Sequence, residues 1–350
     1  MTAFDQNAQN ARITLAHGAG GRKTRELIEQ VFARHFKNPE FTADDAAILP
    51  LGGKKTAFTT DGFIVSPWQY PGGNIGKLSI CGTVNDLSCM GARPLYLSCA
   101  IQIEEGCPLA DLETIAASME QTAKEAGVRI VAGDTKVAGR GQVDHVFLTT
   151  TGIGEVLPDA HPAGNRAAAG DAVIVTGDIG RHGCAILLAR DDFEIEADVT
   201  SDCAPLWSLV EAMFEAADSL PDADRGDIHV LRDATRGGVG TVLYEIAEES
   251  GVGIRLQEPS IPVQPAVKGV CGMLGLNPLY LACEGRLVAF APKAIAPALV
   301  SVLQKQTYGE NAAIIGEVTA ENAGRVIVET EIGTETMLPE PTGELLPRIC

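Results

Sequence analysis

Six aspartates carry the first chemical signal in this sequence: Asp44, Asp45, Asp61, Asp86, Asp134 and Asp233. Each falls at the expected end of a strand or within a helix apolar enough to be buried. A single such aspartate is more often a turn residue, but the set supplies the hard oxygen ligands that divalent cations take. Asp86 follows Asn85 inside the apolar stretch 75–90, where an unpartnered carboxylate would cost several kcal/mol, so a cation is its natural partner. In Gly133-Asp134-Thr135-Lys136, a carboxylate, a hydroxyl and an ammonium stand together, which suits a metal-bound polyphosphate. In Asp233-Ala234-Thr235-Arg236-Gly237-Gly238, the glycines let backbone close on an anion where a helix begins and its N–H groups are free. Gly20 and Gly21 end a second glycine-rich run, His17-Gly18-Ala19-Gly20-Gly21, which matches neither the Walker A spacing nor GxGxxG and reads equally well as a helix-entry turn. The constellation therefore reads as a multi-metal nucleotide site. It does not choose the reaction.

Two further residues suggest chemistry. Glu284, in Ala282-Cys283-Glu284-Gly285, is a carboxylate in an apolar setting, where burial raises its proton affinity as a general base requires; a turn glutamate is the even-odds alternative. Cys350 is the final residue of Pro347-Arg348-Ile349-Cys350. The stretch 331–350 holds three prolines, Pro339, Pro341 and Pro347, and little apolar periodicity, so it reads as an extended tail outside the core. If the last ~18 residues peel away, they span up to about 60 Å at ~3.3 Å per residue, enough to carry a thiol between two proteins.

The elements that must position these groups alternate along the chain. Strands are expected over 56–60, 95–103, 128–132 and 143–151, with helices over 75–90 and 109–126. After an Ala-, Gly- and Pro-rich stretch near 158–170 the pattern restarts: strand 172–176, a Gly177–Gly183 turn before a helix, helix 205–217, strand 229–231, and a helix running to 249. Strands 253–256, 286–291, 312–318 and 325–328 follow, with helices 263–274 and 294–304 between them. His182, in the second glycine turn, reads as a capping or packing histidine in preference to a base. The expected fold is α/β of the α+β type, with two domains, each a mixed sheet with helices packed on it. The N-terminal domain over 1–165 carries the metal and ATP site, the C-terminal domain covers 166–330, and a flexible tail covers 331–350.

Composition narrows the function classes. At 350 residues the chain exceeds one ordinary core, and 45% apolar with 21% charged residues is a globular balance. A net charge of −19 argues against nucleic-acid and anionic-membrane partners, and requires metal ions wherever phosphates are handled. No stretch approaches a membrane span, the first dozen residues lack the apolar core of a secretory signal, and nine scattered cysteines with no CxxC pair fit reduced cytosolic thiols; a cytoplasmic location is expected.

The aspartate motifs resemble those of the superfamily of aminoimidazole-ribonucleotide synthetase, selenophosphate synthetase and thiamine-monophosphate kinase. Within it, Pro71-Gly72-Gly73-Asn74-Ile75-Gly76-Lys77-Leu78, Cys81-Gly82-Thr83, Gly133 to Val137, Leu231 to Val239 and the terminal Pro347-Arg348-Ile349-Cys350 are similar to the HypE family, the carbamoyl dehydratases of [NiFe]-hydrogenase maturation. The resemblance runs from about residue 13 to 350, with Ala19 and Cys283 standing where serine and asparagine are more usual. It implies ATP and Mg2+ as cofactors, with Asp44, Asp45, Asp61, Asp86, Asp134 and Asp233 as metal ligands. Gly20, Gly21, Asp45, Asp61, Asn85, Asp134, Thr135, Thr235, Arg236 and Gly237 would contact the nucleotide. It further implies Cys350, Glu284 and Lys136 as the reacting residues, in an ATP-dependent dehydration of an S-carboxamide on Cys350 to an S-cyanate. The implied partners are the carbamoyltransferase HypF, the HypC–HypD iron scaffold and a second copy of the chain. Two rivals stand beside this expectation: another enzyme of the superfamily acting on a small molecule, and a non-catalytic binding module whose terminal thiol ligates a metal or forms mixed disulfides.

Overall fold

The computed structural model describes residues 21–32, 35, 38, 44–190, 194–220, 226–340 and 349–350. The expected glycine contact Gly20 and the tail residues Pro347 and Arg348 lie outside the described residues.

A five-stranded sheet, in the order β1-β2-β7-β5-β6, organises the first half: β1 Ala47–Leu51, β2 Lys54–Phe63, β5 Ala92–Glu104, β6 Arg129–Ala138 and β7 Val146–Val156. Gly52 and Gly53, both at positive φ, make the two-residue turn that returns β1 into β2. The β5–β6 pair is parallel, which demands a crossover, and helix α3 (Leu109–Ala126) provides it. Between the short strands β3 (Gln69–Tyr70) and β4 (Gly73–Asn74) and β5 runs helix α2 (Ile75–Cys89), whose residues are nearly all buried. Asn74 caps it by accepting from Gly76 and Lys77 N–H at 2.9 and 3.1 Å. A Cβ at Gly82 of this helix would stand 2.8 Å from the Phe63 ring, so glycine lets α2 lie close on β2, beside Asp61.

A seven-stranded mixed sheet, ordered β14-β13-β10-β12-β8-β11-β9, forms the second half. Its strands are β8 Asp171–Val175, β9 Val230–Asp233, β10 Gly253–Gln257, β11 Leu287–Pro292, β12 Ala313–Thr319, β13 Val326–Glu329 and β14 Glu335–Met337. Alternate β8 residues face opposite cores. Val173 and Val175 join Leu243 and Ile246 of helix α6 (Gly238–Ser250), while Ala172 and Ile174 join Leu209 and Met213 of α5 (Trp207–Asp218) and Leu299 of α8 (Ala296–Leu303). Because both faces are covered, the strand reads as a continuous apolar run. Helices α4 (Arg181–Ala189) and α7 (Pro265–Leu274) close a smaller core beside it.

Two expectations need correction. Gly133 to Lys136 is not a loop between strands: β6 continues to Ala138, paired residue by residue to β5 from Ala132 onward, so Asp134 sits mid-strand. The tail also starts later than expected. Residues 335–337 add strand β14 to the sheet edge, Leu338 is buried, and the Tyr244 and Tyr280 hydroxyls donate to the Leu338 and Pro339 carbonyls. Proline content concealed the short antiparallel return of residues 330–334.

Candidate active site

The two sheets meet across a cavity of about 430 Å³, lined by Asp44, Asp45, Asp61, Asp86, Asp233, Thr235, Arg236, Thr241, Glu284 and Cys350. Asp61 comes from the end of β2, Asp86 from α2, Asp233 from the last position of β9, and Thr235 and Arg236 from the turn that opens α6. Helix α2 is thus the piece of the first domain that carries its carboxylate against the second. Asn85, one residue earlier, locks that contact: its amide donates to the Ala204 and Glu284 carbonyls at 3.1 and 3.3 Å and accepts from Leu206 N–H at 2.9 Å.

Burial and mutual repulsion dominate the electrostatics. Asp86 is pushed well above the usual carboxylate range, first by burial and then by the charges of Asp61, Asp233 and Asp45; only the Thr59 hydroxyl, donating at 2.8 Å, opposes this. Asp233 is raised in the same way, by burial and by Asp45 and Asp61. For Asp61, burial outweighs the Arg236 charge. Asp45 is pushed up to about 6, burial outweighing the Arg232 guanidinium that pairs with it at 3.0 Å. Asp44 accepts from Gly164 N–H at 2.9 Å, a tie to the segment that links the two domains. Glu284 is raised well above its ordinary value by burial, then by Cys203, Asp233 and Asp202, while its backbone N–H is fixed by Asp202 at 2.8 Å.

Three buried side-chain oxygens in this one cavity, Asp45 Oδ2, Thr241 Oγ1 and Glu284 Oε1, have no hydrogen-bond partner among the described residues. Unpartnered buried oxygens beside several carboxylates that repel one another describe a site short of positive charge. Such a donor set, all hard oxygen, fits Mg2+ with a polyphosphate.

The chain end is docked in this cavity. Ile64 N–H donates to the Cys350 carbonyl at 3.2 Å, the Ile349 side chain is 4% exposed in the first-domain core, and His182 Nε2 lies 2.7 Å from the Ile349 carbonyl. A carbonyl only accepts, so Nε2 carries the proton. Nδ1 then accepts from Ser201 Oγ at 2.8 Å, and that hydroxyl in turn accepts from Cys203 N–H at 3.0 Å. The Pro71-Gly72 turn backs this network: Ser201 N–H donates to Pro71 O at 2.8 Å, and a Cβ on Gly72 would fall 2.9 Å from Ser201 N. Burial lowers the basicity of His182 and keeps it neutral. The Cys350 thiol is pushed well above its ordinary value by burial and then by Glu284, so it is docked as an inert thiol.

Not every expected site residue is in the cavity. Asp134, Thr135 and Lys136 are exposed on the edge strand β6, where Lys136 Nζ pairs with Asp134 Oδ2 at 2.7 Å; within one chain they do not reach the other aspartates. Asn85 joins the domains and is absent from the cavity lining. Gly237 supplies the left-handed N-cap of α6, at φ 79°, and Gly21 the buried first residue of helix α1 (Gly21–Leu27). Residue-type reasoning passed over Arg232, Asp202, Ser201 and Ile349. Only Ile349, an aliphatic residue beside the terminal thiol, left a trace in the sequence.

Residues 43–156 match the family model for the N-terminal domain of AIR synthase related proteins, and 168–329 match the C-terminal domain of the same family. The chain is 46% identical to carbamoyl dehydratase HypE of Rhodobacter capsulatus over 346 residues, covering 98% of this chain and 99% of the relative. It is 41% identical to carbamoyl dehydratase HypE of Escherichia coli (strain K12), covering 97% of this chain and 99% of the relative. Among solved structures, that of a HypE–HypF complex superposes with a TM-score of 0.83 at 44% identity, covering 90% of this chain and 99% of the other. Hydrogenase maturation protein HypE in complex with ATP gives 0.79 at 46% identity, covering 97% and 100%. Matched in both domains and over nearly its whole length, the chain belongs to the HypE family of the AIR synthase related proteins.

Proposed function

We propose that the chain is an ATP-dependent carbamoyl dehydratase of [NiFe]-hydrogenase maturation, converting an S-carboxamide on its own Cys350 to an S-cyanate. One observation carries this reading: the terminal cysteine and Glu284 line the same carboxylate cavity, so the group to be dehydrated and a base of raised proton affinity share one wall.

In the reaction, the carboxamide oxygen on Cys350 takes the terminal phosphoryl group of ATP as ADP leaves and one N–H proton is lost. The C–O bond then breaks with loss of the second N–H proton, phosphate departs, and the nitrile remains on sulfur. Asp45, Asp61, Asp86 and Asp233, with Asp44 at the edge, would hold Mg2+, which would supply charge neutralisation to the transferring phosphoryl group. Glu284 takes a nitrogen proton; its unpartnered Oε1 faces the cavity with no competing donor among the described residues. Thr235, Arg236 and the start of α6 meet phosphate oxygens. His182 and Ile64, by gripping the backbone of Ile349 and Cys350, orient the substrate-bearing sulfur.

The homodimer expected from the sequence finds support on the first sheet. Phe58, Ile153 and Tyr96 lie in register across β2, β7 and β5, all exposed, and Ile130, Val131 and Val137 are exposed along β6 beside Asp134 and Lys136. A second copy covering that face would hide this apolar surface and bring the partner's copy of β6 toward another site, where Asp134, Thr135 and Lys136 would act. HypF, which a solved relative binds, is the proposed carbamoyl donor, and a HypC–HypD scaffold the proposed cyanide acceptor, in the cytoplasm.

Intact-mass analysis with the carbamoyl donor system and ATP tests this. A carbamoyl adduct on Cys350 should lose one water only when ATP is present, and Glu284→Gln should keep the adduct intact. An adduct on another cysteine sinks the mechanism, and full dehydration by Glu284→Gln removes that residue as the base.

A further inference from the structure

A second cluster of reactive side chains stands apart from the ATP-type cavity, where β5, α3 and β7 come together. Cys107 stands two residues before α3, ahead of the N-cap Pro108, Asp111 is in the first turn of the helix, and His145 directly precedes β7. Their ligand-type atoms, Cys107 Sγ, Asp111 Oδ2 and His145 Nε2, all lie within 4.8 Å of one another, and each residue is partly buried. Nε2 is 3.1 Å from Asp111 Oδ2 and 3.8 Å from Cys107 Sγ. A tetrahedral Zn2+ with bonds of about 2.3 Å to sulfur and about 2.05 Å to nitrogen and oxygen places sulfur and nitrogen about 3.6 Å apart, and nitrogen and oxygen about 3.3 Å apart. The observed separations differ from these by a few tenths of an ångström.

We propose that Cys107, Asp111 and His145 form a binding site for a transition-metal ion of the Zn2+ class, with the fourth position open to solvent. An ordinary histidine–aspartate ion pair would need neither the thiol nor the support around the imidazole. His145 adopts a left-handed backbone, φ 63°, which is uncommon for a non-glycine residue. Glu104 braces it: one carboxylate oxygen accepts from His145 N–H at 3.2 Å and the other from Gly141 N–H at 2.7 Å. Trp68 stacks on the ring, centroids 5.4 Å apart and planes at 17°. Thus the imidazole is pre-set by contacts outside the cluster, as a metal-bound histidine is by its outer shell. The donor set also separates this site from the carboxylate cavity. Sulfur and imidazole favour Zn2+, Co2+ or Ni2+, whereas an all-oxygen cage suits Mg2+.

Cobalt(II) is the probe that tells the sites apart, because a thiolate ligand gives a sulfur-to-metal absorption that oxygen ligands do not. The titration uses the full chain carrying Cys350→Ala, so that the terminal thiol contributes nothing, in excess Mg2+ to fill the carboxylate cavity. One equivalent of Co2+ should develop the sulfur band with the intense visible bands of four-coordination, and one equivalent of Zn2+ should bleach both. Adding Cys107→Ser should abolish the sulfur band. His145→Asn, which keeps a residue tolerant of the left-handed backbone, should weaken Zn2+ binding by at least about tenfold. A band that survives Cys107→Ser, an affinity unchanged in His145→Asn, or Co2+ bound without any sulfur band overturns the proposal. Circular dichroism and melting of each variant, matched to the parent, separate loss of ligation from loss of fold.

Discussion

Ile349→Ala should release the chain end without loosening the body. The substitution removes three side-chain carbons from a site 4% exposed, in a core shared with Phe63, Val65 and Leu97. At ~0.8 kcal/mol per buried carbon, docking weakens by about 2.4 kcal/mol, roughly a 50-fold shift in the docked-to-open ratio. The hydrogen bonds from His182 to Ile349 O and from Ile64 to Cys350 O are backbone-directed and survive the change, so docking is weakened and not abolished. The docked Cys350 is half-buried, and desolvation and then Glu284 raise its proton affinity and keep it a thiol, so alkylation proceeds chiefly from the open form. Its alkylation rate, followed by quenching and peptide mapping, should therefore rise by roughly 50-fold when opening and closing outpace the reagent, while buried Cys81 and Cys203 stay unreactive. The main melting transition should stay put, since opening a chain end is a local event. Alkylation unchanged within about twofold would refute a docked end held by Ile349. A loss of global unfolding free energy of the size expected for a core Ile→Ala change, about 2–5 kcal/mol, with a matching fall in melting temperature, would show that Ile349 belongs to the cooperative core instead.

Asp86→Asn should raise the melting temperature of the ligand-free chain at neutral pH while ending Mg2+-dependent ATP binding by calorimetry. A carboxyl whose pKa is raised by the fold stabilises fully below its unfolded value near ~3.9 and loses that stability as pH rises through the folded value, at about 1.4 kcal/mol for each pH unit separating the two values. The advantage of the variant should consequently vanish toward pH ~4; a variant that melts below wild type at neutral pH contradicts the repulsion assigned to this cluster. Asn85→Ala removes three buried hydrogen bonds that join the domains, and urea titration should register a loss of about 3 kcal/mol, at ~1 kcal/mol each. A loss under ~1 kcal/mol would mean that the domains are joined elsewhere. Val131→Glu places a charge on the exposed face of β6, 62% exposed in the single chain. If the proposed dimer closes over this face, sedimentation should find the variant monomeric, with the monomer fold unchanged by circular dichroism; an unaltered dimer would place the interface on another surface.

Most elements of this fold are legible from period and punctuation alone. The helix expected over 109–126 is observed as Leu109–Ala126, that over 263–274 as Pro265–Leu274, and the strand over 325–328 as Val326–Glu329. Their signals are local: apolar spacing, a glycine or proline at the boundary, a left-handed cap such as Gly127 or Gly275. The strand-end placement of Asp233 and the inward setting of Asp86 and Glu284 were legible for the same reason, because a carboxylate within an apolar run is carried inward by that run. Asp134 was misplaced because β6 has no buried face in a single chain, and a strand exposed throughout lacks the alternation that would have marked its length.

What local pattern does not carry is which side chains meet across distance. Nothing near Asn85 in sequence indicates that its amide joins residues 204, 206 and 284, nor that Arg232 faces Asp45. His182 read as a packing histidine, and it does pack; only the folded chain assigns its Nε2 proton to the carbonyl of Ile349, 167 positions away. Sequence by itself determined the metal-type carboxylates, the two-sheet architecture and the thiol at the chain end, since these follow from residue type and short-range period. The tertiary structure decided that the thiol rests among those carboxylates. The contacts that hold it there, a buried isoleucine, an imidazole and the N–H of Ile64 just past β2, acquire their meaning only when three distant segments converge.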